Sequence, residues 1–306
     1  MKRAEFLPIG EPLIQAFKCE RLSPGGGTIL VPEPLRKMVS GHFEFEQVPQ
    51  DEVEKDDDQV YLVKSQIGEM QSLASLEKIK TKFERFDLTK LKSKVETFIP
   101  KSLIQFEELD LEAWSCNLAK ISTVFCSLDF NITQMESDPE ALKNFHNAIT
   151  IIQKCLFQSR GNLNKVLIDD KGTTLFFVFG IHPLCHVDDA ERSVRCSMMI
   201  KRELNKVSLK PKFGICTGNA FTGVLGTTGG RREFSILGDK VNLSSRLMQS
   251  ACNSKDCDIF LDEETHYEAS NGLLTTFHSR LIIKDSTKPT NLYKPMDIYE
   301  KITLTN

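Results

Sequence analysis

One order of features occurs twice in this chain, and it limits the possible folds more than any single motif does. Near the start stands PIGEPLIQAFKCERLSPGGGTILVPEPLRKMV, and far downstream stands ILGDKVNLSSRLMQSACNSKDCDIFLDEETHYEA. Each has an apolar residue and a glycine, an acidic residue, a helix-like run, a turn, a short apolar β-type run and a second acidic helix start. Gly10 and Ile29 stand at nearly the spacing of Gly238 and Ile259. Residues 1–47 therefore read as the tail of one module, and residues 116–298 as a complete second copy. Residues 48–115 read as an acidic linker with connecting helices, and 299–306 as a tail.

The stretch PQDEVEKDDDQ has too little apolar content to pack, which is the reason for the linker reading. After it, Leu73, Leu76, Ile79 and Phe83 fall at three- and four-residue steps, as one face of a helix does. From Asn117 onward the pattern alternates between strand and helix. AKISTVFCSLDF carries the β-branched and aromatic residues of a buried strand. A helix follows, with Ser137, Pro139 and Glu140 as its capping box and Leu142, Phe145, Ile149, Ile152 and Leu156 as its inner face. His146 beside that stripe reads as a partly buried helix residue. NKVLIDDKGTTLFFVFG reads as a hairpin turning at Asp169 to Gly172. A second amphipathic helix starts with Asp188 and Glu191 in capping positions. The mixture predicts an α+β domain, a mixed sheet with helices packed on it.

A formal charge of −3 gives no reason to expect nucleic acid or an anionic membrane as a partner. The start MKRAEFLPIG lacks the apolar core of a signal peptide, and the longest apolar run, TLFFVFGI, is too short to span a bilayer. Nine cysteines without paired spacing suit a reduced cytoplasmic protein. His182, Cys185 and His186 in HPLCH have no second ligand pair in the sequence, so a loop is the better reading there than zinc.

The stretch REFSILGDKVNLSSRLM, Arg232 to Met248, sets Asn242 and Arg246 four residues apart at a helix start. Such residues share a face. A helix start offers free N–H groups and a positive dipole end, and arginine adds a planar fork matched to phosphate oxygens. On those two residues alone, a capping Asn and an exposed Arg on an ordinary helix explain the pattern at least as well as a phosphate site.

The surroundings shift that balance. FGICTGNAFTGVLG, followed by RREFSILGDKVNLSSR and preceded by the NKVLIDDKGTTLFFVFG hairpin, resembles the core signature of the class III nucleotidyl cyclase catalytic domain. Within that family it resembles the second catalytic half of the soluble adenylyl cyclases. The resemblance implies a ferredoxin-like mixed sheet and a site shared by two similar halves, one of which holds two metal ions. By position it implies that Asn242 orients the ribose and Arg246 holds the reacting phosphate. It gives Lys165 a donor role toward adenine, Ser235 the adjacent base-recognition place, and Lys284 a phosphate contact, with Lys288 as its rival. A lysine donates to adenine N1, which is an acceptor, so Lys165 favours ATP over GTP.

The family's metal aspartates are missing at the matching places, where this chain has Ser127 and Thr173. Asp129 and Asp170 stand near by and read as strand-end and turn residues. No metal ligand is therefore assigned, and Mg²⁺ or Mn²⁺ is expected only through a partner half. In the N-terminal repeat, Ile14 and Lys18 stand at the Asn and Arg places. The resemblance implies that the chain alone is inactive or nearly so. Paired with a metal-bearing half or a full-length cyclase, it would turn ATP into cyclic AMP and pyrophosphate. The alternative is a catalytically silent nucleotide-binding or regulatory module. The expected location is the cytoplasm, with cilium or flagellum implied by the resemblance.

Overall fold

The computed structural model describes residues 4–5, 7–49, 59–68, 96–98, 117–130, 132–169, 172–226, 232–282 and 289–296. They belong to two compact units, in the main residues 6–95 and residues from 96 onward. The helix read over Leu73 to Phe83 lies outside the described residues.

The N-terminal unit runs α1 (Glu11–Leu22), β1 (Leu30–Pro32), α2 (Glu33–Val39), β2 (Phe43–Gln47) and β3 (Val60–Gln66). Each helix carries a proline in its first turn, where the fixed φ suits the helix and the missing N–H costs no bond. α1 buries Ile14 and Cys19. β3 is the middle strand, antiparallel to both β1 and β2. The sheet thus extends past residue 47, where the sequence suggested an end, because β2 needs β3 as its partner. The acidic run joins two paired strands.

The second unit begins with β4 (Asn117–Leu128), α3 (Ile132–Ser137), α4 (Pro139–Ser159), β5 (Asn162–Asp169) and β6 (Gly172–Phe179). It continues with α5 (Asp189–Asn205), β7 (Lys212–Gly226), β8 (Arg232–Leu237) and α6 (Asp239–Asn253). Last come β9 (Ile259–Leu261), α7 (Glu263–Ala269), β10 (Thr275–Leu281) and β11 (Thr290–Pro295). The sheet order is β10-β11-β9-β7-β4-β6-β5, and β8 adds to the far end of β7. β4 is antiparallel to β6 and β7, while β7 and β9 run parallel, so the sheet is mixed as expected. β4 is central; Val124 and Cys126 are completely buried.

Local details differ from the sequence reading in three places. Asp138, not Ser137, caps α4, its carboxylate accepting from the Glu140 N–H at 2.9 Å. Leu142 and His146 of α4 face solvent, because the buried stripe starts only at Phe145. At α5 the Asp188 side chain makes no cap bond; it pairs with Arg192 at 2.7 Å instead. Cys185 donates to the Gly180 carbonyl and the His186 N–H donates to Asp189, so the HPLCH loop serves the entry into α5. Among the described residues no three His, Cys, Asp or Glu side chains converge as metal ligands, and no helix is long and apolar enough to cross a membrane.

Candidate functional site

Strand β8 leads through Gly238 directly into α6, and this junction carries most of the candidate residues. α6 has no side-chain cap; the Val241 and Asn242 N–H groups turn back to the Gly238 carbonyl at 3.1 and 3.4 Å. The rotation of the helix is fixed from inside. Ser244, Leu247, Met248 and Ala251 are buried. The Thr123 hydroxyl of β4 lies 3.1 Å from both the Ser244 hydroxyl and the Cys216 carbonyl, and its single proton is shared among the acceptors around it. The close seat depends on Gly214, where an added Cβ would lie 2.1 Å from the Ser244 oxygen and 2.2 Å from the Met248 nitrogen. With that face inward, Asn242 is exposed and Arg246, one turn on, is half-buried. They occupy one side of the helix, as their spacing required.

Lys165 lies on β5 and Ser235 on β8, distant in sequence order and separated in the sheet. The structure links their strands through a residue that the sequence reading missed. The Lys165 ammonium meets the Glu233 carboxylate at 2.6 Å, with the two side chains 39% and 40% exposed. Glu233 and Ser235 are two apart on one strand and so share a side. That periodicity was the available signal: an acid two residues before a proposed base-recognition hydroxyl sits where it can meet the same ligand. Ser235 is buried at 9% exposure. Lys284 and Lys288 lie outside the described residues.

The places that the resemblance reserves for metal ligands do not fit that task. Ser127 of β4 stands opposite Thr174, and Leu128 opposite Thr173 at the start of β6. Ser127 and Thr173 offer neutral hydroxyls rather than carboxylates, and Thr173 is buried with its hydroxyl directed to the Phe130 carbonyl at 3.4 Å. Hard divalent cations prefer charged oxygen donors in a near-ideal cage. Asp129 is exposed beyond the strand end, and Asp170 lies outside the described residues.

Comparison with known proteins agrees with this architecture. No protein-family model matches the chain. Human adenylate cyclase type 10 is 28% identical over 173 residues, which are 55% of this chain and 10% of that protein. The mouse adenylate cyclase type 10 is 27% identical over 212 residues, 65% of this chain and 12% of that protein. The match thus spans about a tenth of those relatives. Among solved structures, the adenylyl cyclase CyaB from P. aeruginosa superposes with a TM-score of 0.52 at 19% identity, covering 60% of this chain and 96% of that one. A bacterial light-regulated adenylyl cyclase gives a TM-score of 0.56 at 13% identity, over 83% of this chain and 80% of that one. The chain thus has the fold of the class III nucleotidyl cyclase domains, and over about half its length it is homologous to adenylate cyclase type 10.

Proposed function

We propose that this chain is one half of an adenylyl cyclase site, forming cyclic AMP and pyrophosphate from ATP when it pairs with a metal-bearing half. The observation that carries the reading is the β8–Gly238–α6 junction, which keeps Asn242 and Arg246 on one outward side while its inner side is anchored to β4 and β7.

In this reading Lys165 donates to adenine N1, and Ser235 takes the neighbouring base contact. Asn242 bonds the ribose and holds its 3′-hydroxyl toward the α-phosphate. The Arg246 guanidinium bonds the phosphate on which negative charge grows, and a fixed cation there stabilises the transition state more than the ground state. Lys284, or Lys288, contacts the leaving pyrophosphate. Divalent cations are the partner half's contribution, since Ser127 and Thr173 supply no carboxylate. A homodimer lacks the same ligands twice. The partner is a metal-bearing half or a full-length cyclase in the cytoplasm, with cilium or flagellum as the finer location.

The test is cyclic AMP formation from ATP with Mg²⁺ or Mn²⁺, by the chain alone and by the chain mixed with a separately prepared metal-bearing half. Activity confined to the mixture and lost in Arg246→Ala is the expected outcome. Silence in both, with association of the halves verified, would favour the second reading: a nucleotide-binding or regulatory module that occupies a cyclase partner surface. The neutral side chains at 127 and 173 are the observation behind that alternative.

A further inference from the structure

Lys240 is the second residue of α6, close to the positive end of the helix dipole, where a cation is disfavoured unless something compensates. The compensation is Asp262, the cap of α7, whose carboxylate accepts from the Lys240 ammonium at 2.5 Å. Asp262 is buried, and its other oxygen accepts from the Thr265 N–H at 2.9 Å, the Thr265 hydroxyl at 2.6 Å and the Thr217 N–H of β7 at 3.3 Å. The Lys240 carbonyl lies 3.3 Å from the Thr123 hydroxyl of β4 and shares its proton with the Cys216 carbonyl and the Ser244 hydroxyl. Burial alone would depress the Lys240 ammonium, but the charge and the hydrogen bond of Asp262, with smaller help from Glu264, together raise the group. One residue therefore ties the first turn of α6 to β4 and, through Asp262, to β7 and α7.

The repeat provides an internal control. α1 and α6 both follow a glycine N-cap with an acidic first residue and end at an extended serine, Ser23 or Ser254. α2 and α7 both end at a helical serine, Ser40 or Ser270. The strand order β1-β3-β2 matches β9-β11-β10. Aligned on Gly10 and Gly238, Lys240 corresponds to Pro12; Asp262, the N-cap of α7, corresponds to Pro32, the N-cap of α2. Asn242 corresponds to Ile14, which is buried. The module therefore folds without the ion pair, and the copy that lacks the ion pair also lacks the Asn–Arg pair.

We infer that Lys240 and Asp262 are positioning residues, which hold the first turns of α6 so that Asn242 and Arg246 meet the nucleotide at a fixed height and angle. The inference rests on the half-site reading for its functional meaning, while its structural content can be tested without that reading.

The experiment is amide hydrogen exchange on the chain as it stands, comparing Lys240→Met, Lys240→Arg and the charge-free double variant Lys240→Met/Asp262→Asn. The double variant guards against misfolding caused by an unpaired buried carboxylate. Exchange at Asn242–Arg246 should accelerate about tenfold in both variants carrying Met, with Leu247–Ala251 changing less than about twofold, and Arg should restore most of the protection. Uniform acceleration along α6, or none, would overturn the inference. In the mixture with a metal-bearing half, kcat should fall about tenfold with KM nearly unchanged, because the groups are misplaced rather than lost. An unchanged kcat in a mixture that Arg246→Ala does silence would also overturn it. If Arg246→Ala has no effect, the half-site reading fails, and the exchange result still decides the positioning.

Discussion

Lys165 on β5 and Glu233 on β8 grip each other at 2.6 Å, joining an edge strand of the sheet to the strand that leads into α6. Both side chains are two-fifths exposed, so the pair adds little stability. Its consequence is chemical. In the proposed half-site, a carboxylate beside the ammonium adds an acceptor to the donor, so the ammonium alone would not decide between adenine and guanine. A double-mutant cycle with Lys165→Ala and Glu233→Ala should show a coupling below about 1 kcal/mol in urea unfolding, weakening with salt.

In the mixture with a metal-bearing half, Lys165→Ala should raise the KM for ATP about tenfold, the loss of one charge-assisted hydrogen bond. Running the same variants with GTP separates the two bases. If Glu233→Gln narrows the preference for ATP, the carboxylate takes part in reading the base; if both nucleotides respond equally, it only steadies Lys165.

Gly214→Ala should be among the most damaging single methyl additions in the domain. The atoms it would strike are the Ser244 oxygen and Met248 nitrogen of the α6 backbone, which cannot swing aside as a side chain can. α6 would have to lift from β7, taking Asn242 and Arg246 with it. A loss of about 3 kcal/mol or more in urea unfolding is expected, at the upper end for overpacking. A loss near zero would mean that the helix seat is loose.

Asp258 gives a pH signature. It lies between Lys201 of α5 and Lys212 of β7, at 2.7 Å from each. Burial alone would raise this carboxyl, but the hydrogen bonds from the two lysines outweigh it and hold the group below its ordinary value. A carboxyl depressed in the folded state contributes stability above its unfolded value of 3.8, and that stability is lost as pH falls through the folded value. Asp258→Asn should therefore cost about 1 kcal/mol near neutral pH, discounted for partial exposure, and should flatten the acid limb of the stability curve. Equal losses at pH 7 and well below pH 3.8 would count against it.

Much of the fold was legible because it rests on period and punctuation. The β4 strand, the β5–β6 hairpin, α4, α5 and the β8–α6 junction stand where their apolar spacing put them. The helix caps were less so: an Asp one residue after Ser137 competes for the same free N–H groups, and only geometry shows which side chain reaches. β3 was hidden by the acidic run before it, since pairing across a long connection leaves no local trace. For the same reason Glu233 and Asp262 escaped notice. Each meets its lysine through tertiary packing, 68 and 22 residues away in sequence. Lys240 itself was a readable anomaly, a cation at a helix start, and such a residue asks where its counter-charge lies.

The metal-free reading can be tested by supplying what is missing. Thr173 is buried and its hydroxyl already serves the Phe130 carbonyl, so Thr173→Asp alone should place an uncompensated carboxylate in the interior. That should cost several kcal/mol, about 3 or more, in the absence of a cation. Ser127 lies on the neighbouring strand one register position away, so Ser127→Asp brings a second carboxylate to the same end of the sheet. Two like charges there repel each other, and a divalent cation relieves them. The double variant should therefore be less stable than the parent in chelator and regain stability as Mn²⁺ is added, by an amount that rises with the logarithm of concentration. The parent chain should show no such Mn²⁺ dependence. If the parent does respond, Asp129 becomes the residue to remove next, and loss of the response in Asp129→Asn would locate a cation site on this half.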